Sequence, residues 1–260
     1  MRKIILLIAF SLSVSLNAQI IDASGKKQGY WKKKDDKTGN LIYEGEFKDD
    51  KPVGTFKHYY PGDTARRAIT YYKDGGKIAY AKLYYQISGK LMAQGKYISE
   101  LKDSIWNFYD DGGVLISKDN YIMGKKTGKC FVYVPDGSLA EEKTFKNGVE
   151  DGPFKQYFDG KLVKGEGNYV NGKMEGKITY YFPNGVVAAT GIYKNGFKDG
   201  VWIYKEKDGK IKEKELHKNG KQASKKESDE YFKKNKVIEQ ETKSPPKQGP
   251  GTKSNETKSK

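Results

Sequence analysis

The chain has 260 residues, a formal net charge of +16 and a mean hydropathy of −0.84. This hydropathy excludes a protein with many membrane spans. The single cysteine excludes a disulfide scaffold and a cysteine-based zinc module. Aromatic residues make up 13% of the chain, too many for a wholly disordered protein, and 30 glycines accompany them. The composition therefore indicates a basic, folded protein rich in glycine and tyrosine.

Residues 1–18 have the pattern of a removable export signal. Arg2 and Lys3 precede an apolar stretch from Ile4 to Leu16, and Ala18 is a small residue at the expected cleavage site. The stretch is shorter than the roughly 20 residues that span a membrane, so it is not expected to be a membrane-spanning helix. A short buried helix is the alternative to an export signal. No cysteine lies near the cleavage site. We therefore expect an exported protein that is periplasmic, at the outer-membrane surface or secreted, and is not a lipoprotein.

Glycines recur every 24 residues in the second half of the chain. Asn-Gly pairs recur with them, and this dipeptide accepts the positive φ of tight hairpin turns. When the repeat is continued towards the N-terminus, the first position of the earlier units falls on Gly29, Gly54, Tyr80 and Ser104. The chain then contains eight units over residues 29–221. The turn glycines of the regular units are Gly124, Gly128, Gly148, Gly152, Gly172, Gly176, Gly196, Gly200 and Gly220.

Each unit contains two short runs of aromatic and β-branched residues between turns, which is the pattern of a β-hairpin. The third position of the units, named here the ring position, holds Trp31, Phe56, Lys82, Trp106, Cys130, Phe154, Ile178 and Trp202. The sixth position forms a tyrosine column of Tyr59, Tyr85, Tyr109, Tyr133, Tyr157 and Tyr181. The sequence therefore predicts an all-β fold, an elongated antiparallel meander of about eight 24-residue hairpins with up to 16 strands.

Side chains alternate across a strand, which assigns these positions to two faces of the sheet. Trp106 and Phe108 fall on one face, which we predict to be packed. The tyrosine column falls on the other, beside Lys57 and Lys155. The column either holds the strands together as a ladder or forms a partly exposed binding surface, whose rings stack on sugars or peptide side chains.

The pattern G-x-[WF]-x-x-Y…NG-x-x-x-G resembles the MORN-variant repeats of bacteria. Residues 176–200, GKITYYFPNGVVAATGIYKNGFKDG, show it most clearly, and the resemblance covers about residues 29–221. It implies a string of β-hairpins and a binding or scaffold role rather than catalysis. Some members of that family are labelled antitoxins of toxin–antitoxin pairs.

The repeat region is flanked by two segments of different composition. Residues 19–28 are a short lead-in. Residues 222–260 form a charged tail, in which 225–241 are expected to form a short helix because apolar residues recur at near-helical spacing. The remainder is rich in lysine, serine and proline and is expected to be disordered.

The sequence contains no motif that predicts catalysis. The stretch from Gly124 to Cys130 is one residue short of a phosphate loop, and no helix is predicted after it. His58 and His217 stand alone, so they are expected to be solvated strand residues rather than metal ligands. Cys130 occupies the ring position and is expected to be a packed thiol, not a nucleophile. We therefore predict a protein that is not an enzyme and that holds no cofactor or metal.

The sequence thus favours an exported repeat protein that binds, or serves as a scaffold for, a protein or an anionic or glycan cell-surface polymer. The alternatives are a carbohydrate-binding module and an antitoxin or immunity protein. Export argues against a nucleic-acid partner despite the positive charge. Contact of the lysines with a membrane surface and self-association of the sheet are left open as further alternatives.

Overall fold

A computed structural model describes residues 19–235. They form one open antiparallel sheet of 20 strands, and each strand pairs with its neighbours along the chain. Sixteen strands are six to nine residues long, and four contain only two residues. The prediction of an all-β hairpin meander is confirmed, and the predicted 16 strands correspond to the sixteen long ones.

The long strands make up the eight hairpins in chain order. They are β2 (Lys27–Lys34), β3 (Leu41–Lys48), β4 (Lys51–Tyr59), β5 (Arg66–Lys73), β6 (Ile78–Tyr84), β7 (Leu91–Ile98), β8 (Leu101–Tyr109), β9 (Leu115–Ile122), β11 (Gly128–Tyr133), β12 (Leu139–Lys146), β13 (Val149–Tyr157), β14 (Val163–Val170), β16 (Gly176–Tyr181), β17 (Val187–Lys194), β18 (Phe197–Lys205) and β19 (Ile211–Lys218). The two-residue strands are β1 (Ile20–Ile21), β10 (Lys125–Lys126), β15 (Lys173–Met174) and β20 (Lys221–Gln222).

One helix, α1 (Lys225–Lys234), follows the sheet. Ser224 begins it with a capping box, in which its side chain accepts from the backbone N–H of Glu227 and the Glu227 carboxylate accepts from the backbone N–H of Ser224. Residues 236–241 of the predicted helix, the rest of the tail and the predicted export signal lie outside the described residues. Within the described part of the chain, no helix has the length and apolar character needed to cross a membrane.

The Asn-Gly pairs form the hairpin turns that connect the units. In all four pairs both residues have positive φ, with Asn at 49–54° and Gly at 79–90°. Positive φ at both central residues is the signature of a type I′ turn, whose twist matches that of the flanking strands. The turn chemistry inferred from the sequence therefore fixes the turns that follow the fifth to eighth units.

The strand register corrects the predicted phase of the third unit. Ala79 pairs with Tyr97 just as Gly54 pairs with Tyr72, so Ala79, and not Tyr80, is the first residue of this unit. The ring position accordingly holds Ala81 rather than Lys82. The tyrosine column contains Tyr84 rather than Tyr85, because Tyr84 pairs with Leu91 as Tyr109 pairs with Leu115.

The shift arises from the turn between the two strands of a hairpin. In the third unit the residue at the sixth position, Tyr84, pairs with Leu91 on the second strand. In the fourth unit the equivalent Tyr109 pairs with Leu115, so the turn between the paired residues is one residue shorter. The first and second units have the same longer turn, ending at Leu41 and Arg66. The first three units are therefore one residue longer than the later ones, a difference that the spacing of glycines alone concealed.

The packed face is built from large apolar side chains at the ring position, each of which packs directly against a glycine of the preceding unit. Trp106 has no exposed surface, and a β-carbon at Gly95 would lie 2.3 Å from its indole ring. Its Nε1 donates to the carbonyl oxygen of Lys96 at 3.0 Å, so the buried indole also satisfies its polar group. The same contact joins Phe56 to Gly45, Ile178 to Gly167 and Trp202 to Gly191. Only a residue without a side chain permits this approach.

Second-strand aromatics close the packed face around the rings. Tyr97 meets Trp106 edge to face at 4.7 Å between ring centroids, and Tyr193 meets Trp202 at 5.2 Å. Where the ring position holds the small residue Cys130, that residue is buried, as expected for a packed thiol. The prediction that this face is the packed one is confirmed.

Replacement of Trp106 by alanine should destabilise the protein by about 3–5 kcal/mol, because a fully buried indole is lost from the centre of the array. Trp31→Ala should cost less, since Trp31 is only half-buried and lies in the first unit. Denaturant unfolding of both variants measures the difference. Equal losses would contradict a core propagated from unit to unit.

Gly95→Ala should destabilise by about 1–3 kcal/mol, because its β-carbon would overlap the Trp106 ring. Neither Gly95 nor Gly112 has positive φ, and a β-carbon at Gly112 would lie 3.0 Å from Asp110 Oδ1 rather than against a buried ring, so Gly112→Ala is the matched control and should cost less than Gly95→Ala. In a Trp106→Ala background, Gly95→Ala should lose most of its cost. An unchanged cost in that background would show that the ring is not the cause.

Candidate functional site

The face opposite the packed rings carries the tyrosine column and is named here the tyrosine face. Its column consists of Tyr59, Tyr84, Tyr109, Tyr133, Tyr157 and Tyr181, all half-buried. The predicted column residue Tyr85 lies in a turn instead, where its hydroxyl donates to the carbonyl oxygen of Tyr109 at 2.8 Å. Tyr60 makes the equivalent bond to Tyr84 at 2.6 Å. Both residues tie successive turns together.

A buried carboxylate neutralises the lysine next to the column in the first two units. Glu44 is 8% exposed and accepts from Lys57 Nζ at 3.0 Å and from the Tyr59 hydroxyl at 2.9 Å. Burial alone would raise the pKa of Glu44, but hydrogen bonds from Lys57, Tyr59 and Tyr30 outweigh burial and lower the pKa to about 2. This cluster holds adjacent strands together by charge-assisted hydrogen bonds.

The same cluster recurs near the other end of the array. Glu166 accepts from the Tyr181 hydroxyl at 2.7 Å and forms an ion pair with Lys155 Nζ at 3.4 Å. Burial and this hydrogen bond raise the pKa of Tyr181 to about 12. Lys57 and Lys155, both predicted to be binding residues, are thus paired with acids of their own sheet.

Between these clusters the tyrosine face contains an open groove of about 740 Å³. It spans the second to fourth units, where Ile69 and Gln94 stand in the register position that Glu44 and Glu166 occupy elsewhere. The residues that form its floor and walls include Ile69, Tyr71, Tyr80, Tyr84, Ile105 and Asn107. This groove is not evident from the sequence, because the pairing of Tyr71 with Tyr80 depends on the register of the third unit, which the glycine spacing misplaces.

The groove combines exposed ring faces with uncompensated polar groups. Tyr71 and Tyr80 pair directly across strands and are 45% and 48% exposed. Lys73 Nζ lies 5.7 and 5.8 Å from their ring centroids. Within residues 19–235, Lys82 has no acidic partner and the Asn107 side chain makes no hydrogen bond. These groups are free to engage a ligand.

The acidic and thiol side chains on the packed face that could take part in catalysis form ion pairs or are buried. Asp119 pairs with Lys126 at 2.8 Å beside Cys130, and burial raises the pKa of the Cys130 thiol, which keeps it protonated. Lys143 pairs with Glu141 and Glu150 at 3.1 and 3.0 Å. Across the described residues, no group of three His, Cys, Asp or Glu side chains is placed to hold a metal ion.

The prediction that the two histidines are solvated is wrong. His217 is 6% exposed and its Nε2 lies 2.8 Å from a Glu215 oxygen, because it occupies the second-strand aromatic position of the last unit. His58 is half-buried and stacks on Phe56 with 6.1 Å between ring centroids, since its position faces the packed side.

Acid should weaken the protein through Glu44. Its folded-state pKa is depressed to about 2 from an ordinary value of 4.5, so its contribution to stability is complete above about pH 5 and is lost as the pH falls towards 2. Glu44→Gln should be less stable than wild type at pH 7 and should lose less stability on acidification. Glu46→Gln, on an exposed residue of the same strand, is the control. Identical pH profiles for wild type and Glu44→Gln would refute this role.

Comparison with known proteins identifies the repeats. A family model described as a MORN repeat variant matches residues 174–195 and 198–219, and a MORN repeat model matches residues 43–55. A search of curated protein sequences finds no match. Among solved structures, the crystal structure of TarM aligns at 9% identity with a TM-score of 0.27, covering 37% of this chain and 20% of TarM. This chain therefore spans about a fifth of the length of TarM. The matched segments lie towards both ends of one continuous array of hairpins, so these parts of the chain are similar to MORN and MORN-variant repeats.

Proposed function

We propose that this protein is a non-enzymatic binding or scaffold module that engages its partner through the tyrosine face. The observation that carries this proposal is the row of half-buried tyrosines, one per unit from the second to the seventh, on the face that the core leaves uncovered. Half-exposed rings with polar tips are suited to recognition because they offer a large apolar area with little conformational freedom.

The single-layer architecture supports this proposal. All the large rings at the ring position pack against one face, so the other face has no structural layer above it. At roughly 4.8 Å per strand, sixteen strands give a surface about 75 Å long. A long, regular surface of this kind suits an extended partner, such as a polymer or a chain segment, that contacts several units at once.

The electrostatics also favour binding over catalysis. The buried carboxylate Glu44 is held ionised by lysine and tyrosine, and the Cys130 thiol is held protonated by burial. Neither group has the intermediate pKa that general acid–base or nucleophilic catalysis uses at neutral pH.

Export and the class of partner belong to the same proposal. The export-signal pattern of residues 1–18 supports a location in the periplasm, at the outer-membrane surface or outside the cell, where a surface protein or an anionic or glycan polymer is accessible. A carbohydrate-binding module is the second candidate, favoured by the exposed Tyr71 and Tyr80 rings. The antitoxin or immunity role stays a prediction that no observation tests.

The proposal predicts that the tyrosine column is required for capture of the native partner. A variant with Tyr109, Tyr133, Tyr157 and Tyr181 changed to alanine should lose most of its captured material in a pull-down from the native cell envelope. The same four residues changed to phenylalanine form the matched control and should retain capture, because the rings remain. Circular dichroism and thermal unfolding establish that both variants fold. Unchanged capture by the folded alanine variant would eliminate the column as the binding surface.

A further inference from the structure

In the groove of the second to fourth units, the tyrosine face leaves polar groups of the sheet without partners among the described residues. In the first two units Lys57 is neutralised by Glu44, and in the sixth and seventh Lys155 is neutralised by Glu166. Lys82 occupies the same position of its hairpin but faces Ile69 on one side and Gln94 on the other. Because neither neighbour is an acid, the positive charge of the Lys82 ammonium group is available to an external partner.

Two tyrosine rings lie next to this charge. Tyr71 and Tyr80 are directly paired across strands, and both are nearly half exposed. The positions that Tyr71 and Tyr80 occupy in their units are filled in the fifth unit by Thr144 and Lys129. The pair of rings is therefore not required by the hairpin fold, since another unit of the same array forms without it.

Lysine and amide side chains surround the rings. Lys73 Nζ lies over both of them, and Lys96 is held by Asp103 at 3.1 Å on the same face. Gln94 donates to the Tyr109 hydroxyl at 2.9 Å, which fixes its amide at the groove. Asn107 lies beside it, with both its donor and its acceptor unused within the described residues.

The backbone of the groove takes no part in recognition. Strands β6 and β7, which run through its centre, each pair with a neighbour on both sides, so their ladder hydrogen bonds are made within the sheet. A ligand here cannot add as a further strand, as peptides do at a sheet edge. It must be held by ring faces, amides and ammonium groups alone.

We propose that this groove binds an acidic oligosaccharide, a chain of sugar rings that bear carboxylates. Sugar rings present apolar C–H faces to Tyr71 and Tyr80, hydroxyls to Asn107 and Gln94, and carboxylates to Lys82 and Lys73. Each of the three kinds of group in the groove thus has a counterpart in one ligand. A peptide of acidic residues would satisfy the lysines but would leave the paired ring faces and the amides without partners.

This inference rests on the proposed binding function and deepens it by naming the ligand class. It also assigns the contact to a segment, residues 69–107, that lies between the stretches matched by the repeat models at 43–55 and 174–219. Selectivity is therefore placed where the array departs from its regular repeat.

The test uses the full chain and three hexameric probes in calorimetric titration: oligogalacturonate, neutral maltohexaose and hexaglutamate. Oligogalacturonate should bind the wild type, and the other two should bind at least tenfold more weakly. Tyr80→Ala should weaken oligogalacturonate binding about tenfold, through loss of a stacking face. Lys82→Gln should weaken it threefold to tenfold, with the difference shrinking at high salt.

Lys155→Gln is the matched control, because Lys155 holds the same position in the sixth unit but is paired with Glu166. It should leave oligogalacturonate binding unchanged. Both lysines are exposed enough that their variants should fold, which thermal unfolding confirms. Equal effects of Lys82→Gln and Lys155→Gln, equal binding of maltohexaose, equal binding of hexaglutamate, or no binding of oligogalacturonate would each overturn the proposal.

The two proposals fail separately. If envelope capture depends on the tyrosine column while oligogalacturonate does not bind, the ligand class is wrong and the binding function stands. If oligogalacturonate binds in the groove while capture is unaffected by the alanine variant of the column, the groove is a site of its own and the column is structural.

Discussion

The contact of a ring with the glycine of the preceding unit is the constraint on which the rest of the structure depends. Trp106 lies flat over Gly95, and a β-carbon there would fall 2.3 Å from the ring. Because the ring belongs to one hairpin and the glycine to the one before, the contact joins neighbours and propagates along the chain. It also explains how a sheet of a single layer can bury a tryptophan completely: the backbone of the adjacent strand supplies the surface that a second layer would provide in a sandwich.

Placing the core on one face leaves the other face free for ionic and aromatic side chains. In several units these side chains satisfy one another, as Glu44 does with Lys57 and Tyr59. A buried carboxylate of this kind is stable only because its partners offset the cost of desolvation. The positive net charge is thus partly internal to the sheet, and a lysine is available for an external partner only where the paired acid is missing, as at Lys82.

Departures from the repeat carry more functional information than the repeat itself. The regular positions are accounted for by turns, rings and internal ion pairs, all of which the fold requires. Between the second and fourth units the acid is replaced by Ile69 and Gln94, and two tyrosines become exposed. In a protein whose architecture is repetitive, such a local change is the means by which one stretch of the surface acquires its own specificity.

The sequence by itself determined the period, the hairpin turns and the division of side chains between two faces, because these follow from local backbone chemistry and strand alternation. It did not determine the phase of the third unit, since one extra residue in a turn does not alter the local pattern around it. Nor did it indicate the role of Gly95, the burial of His217 or the groove at Tyr71 and Tyr80. Each of these is a relation between residues of different strands, and the strand register, which only the tertiary structure decides, brings them together.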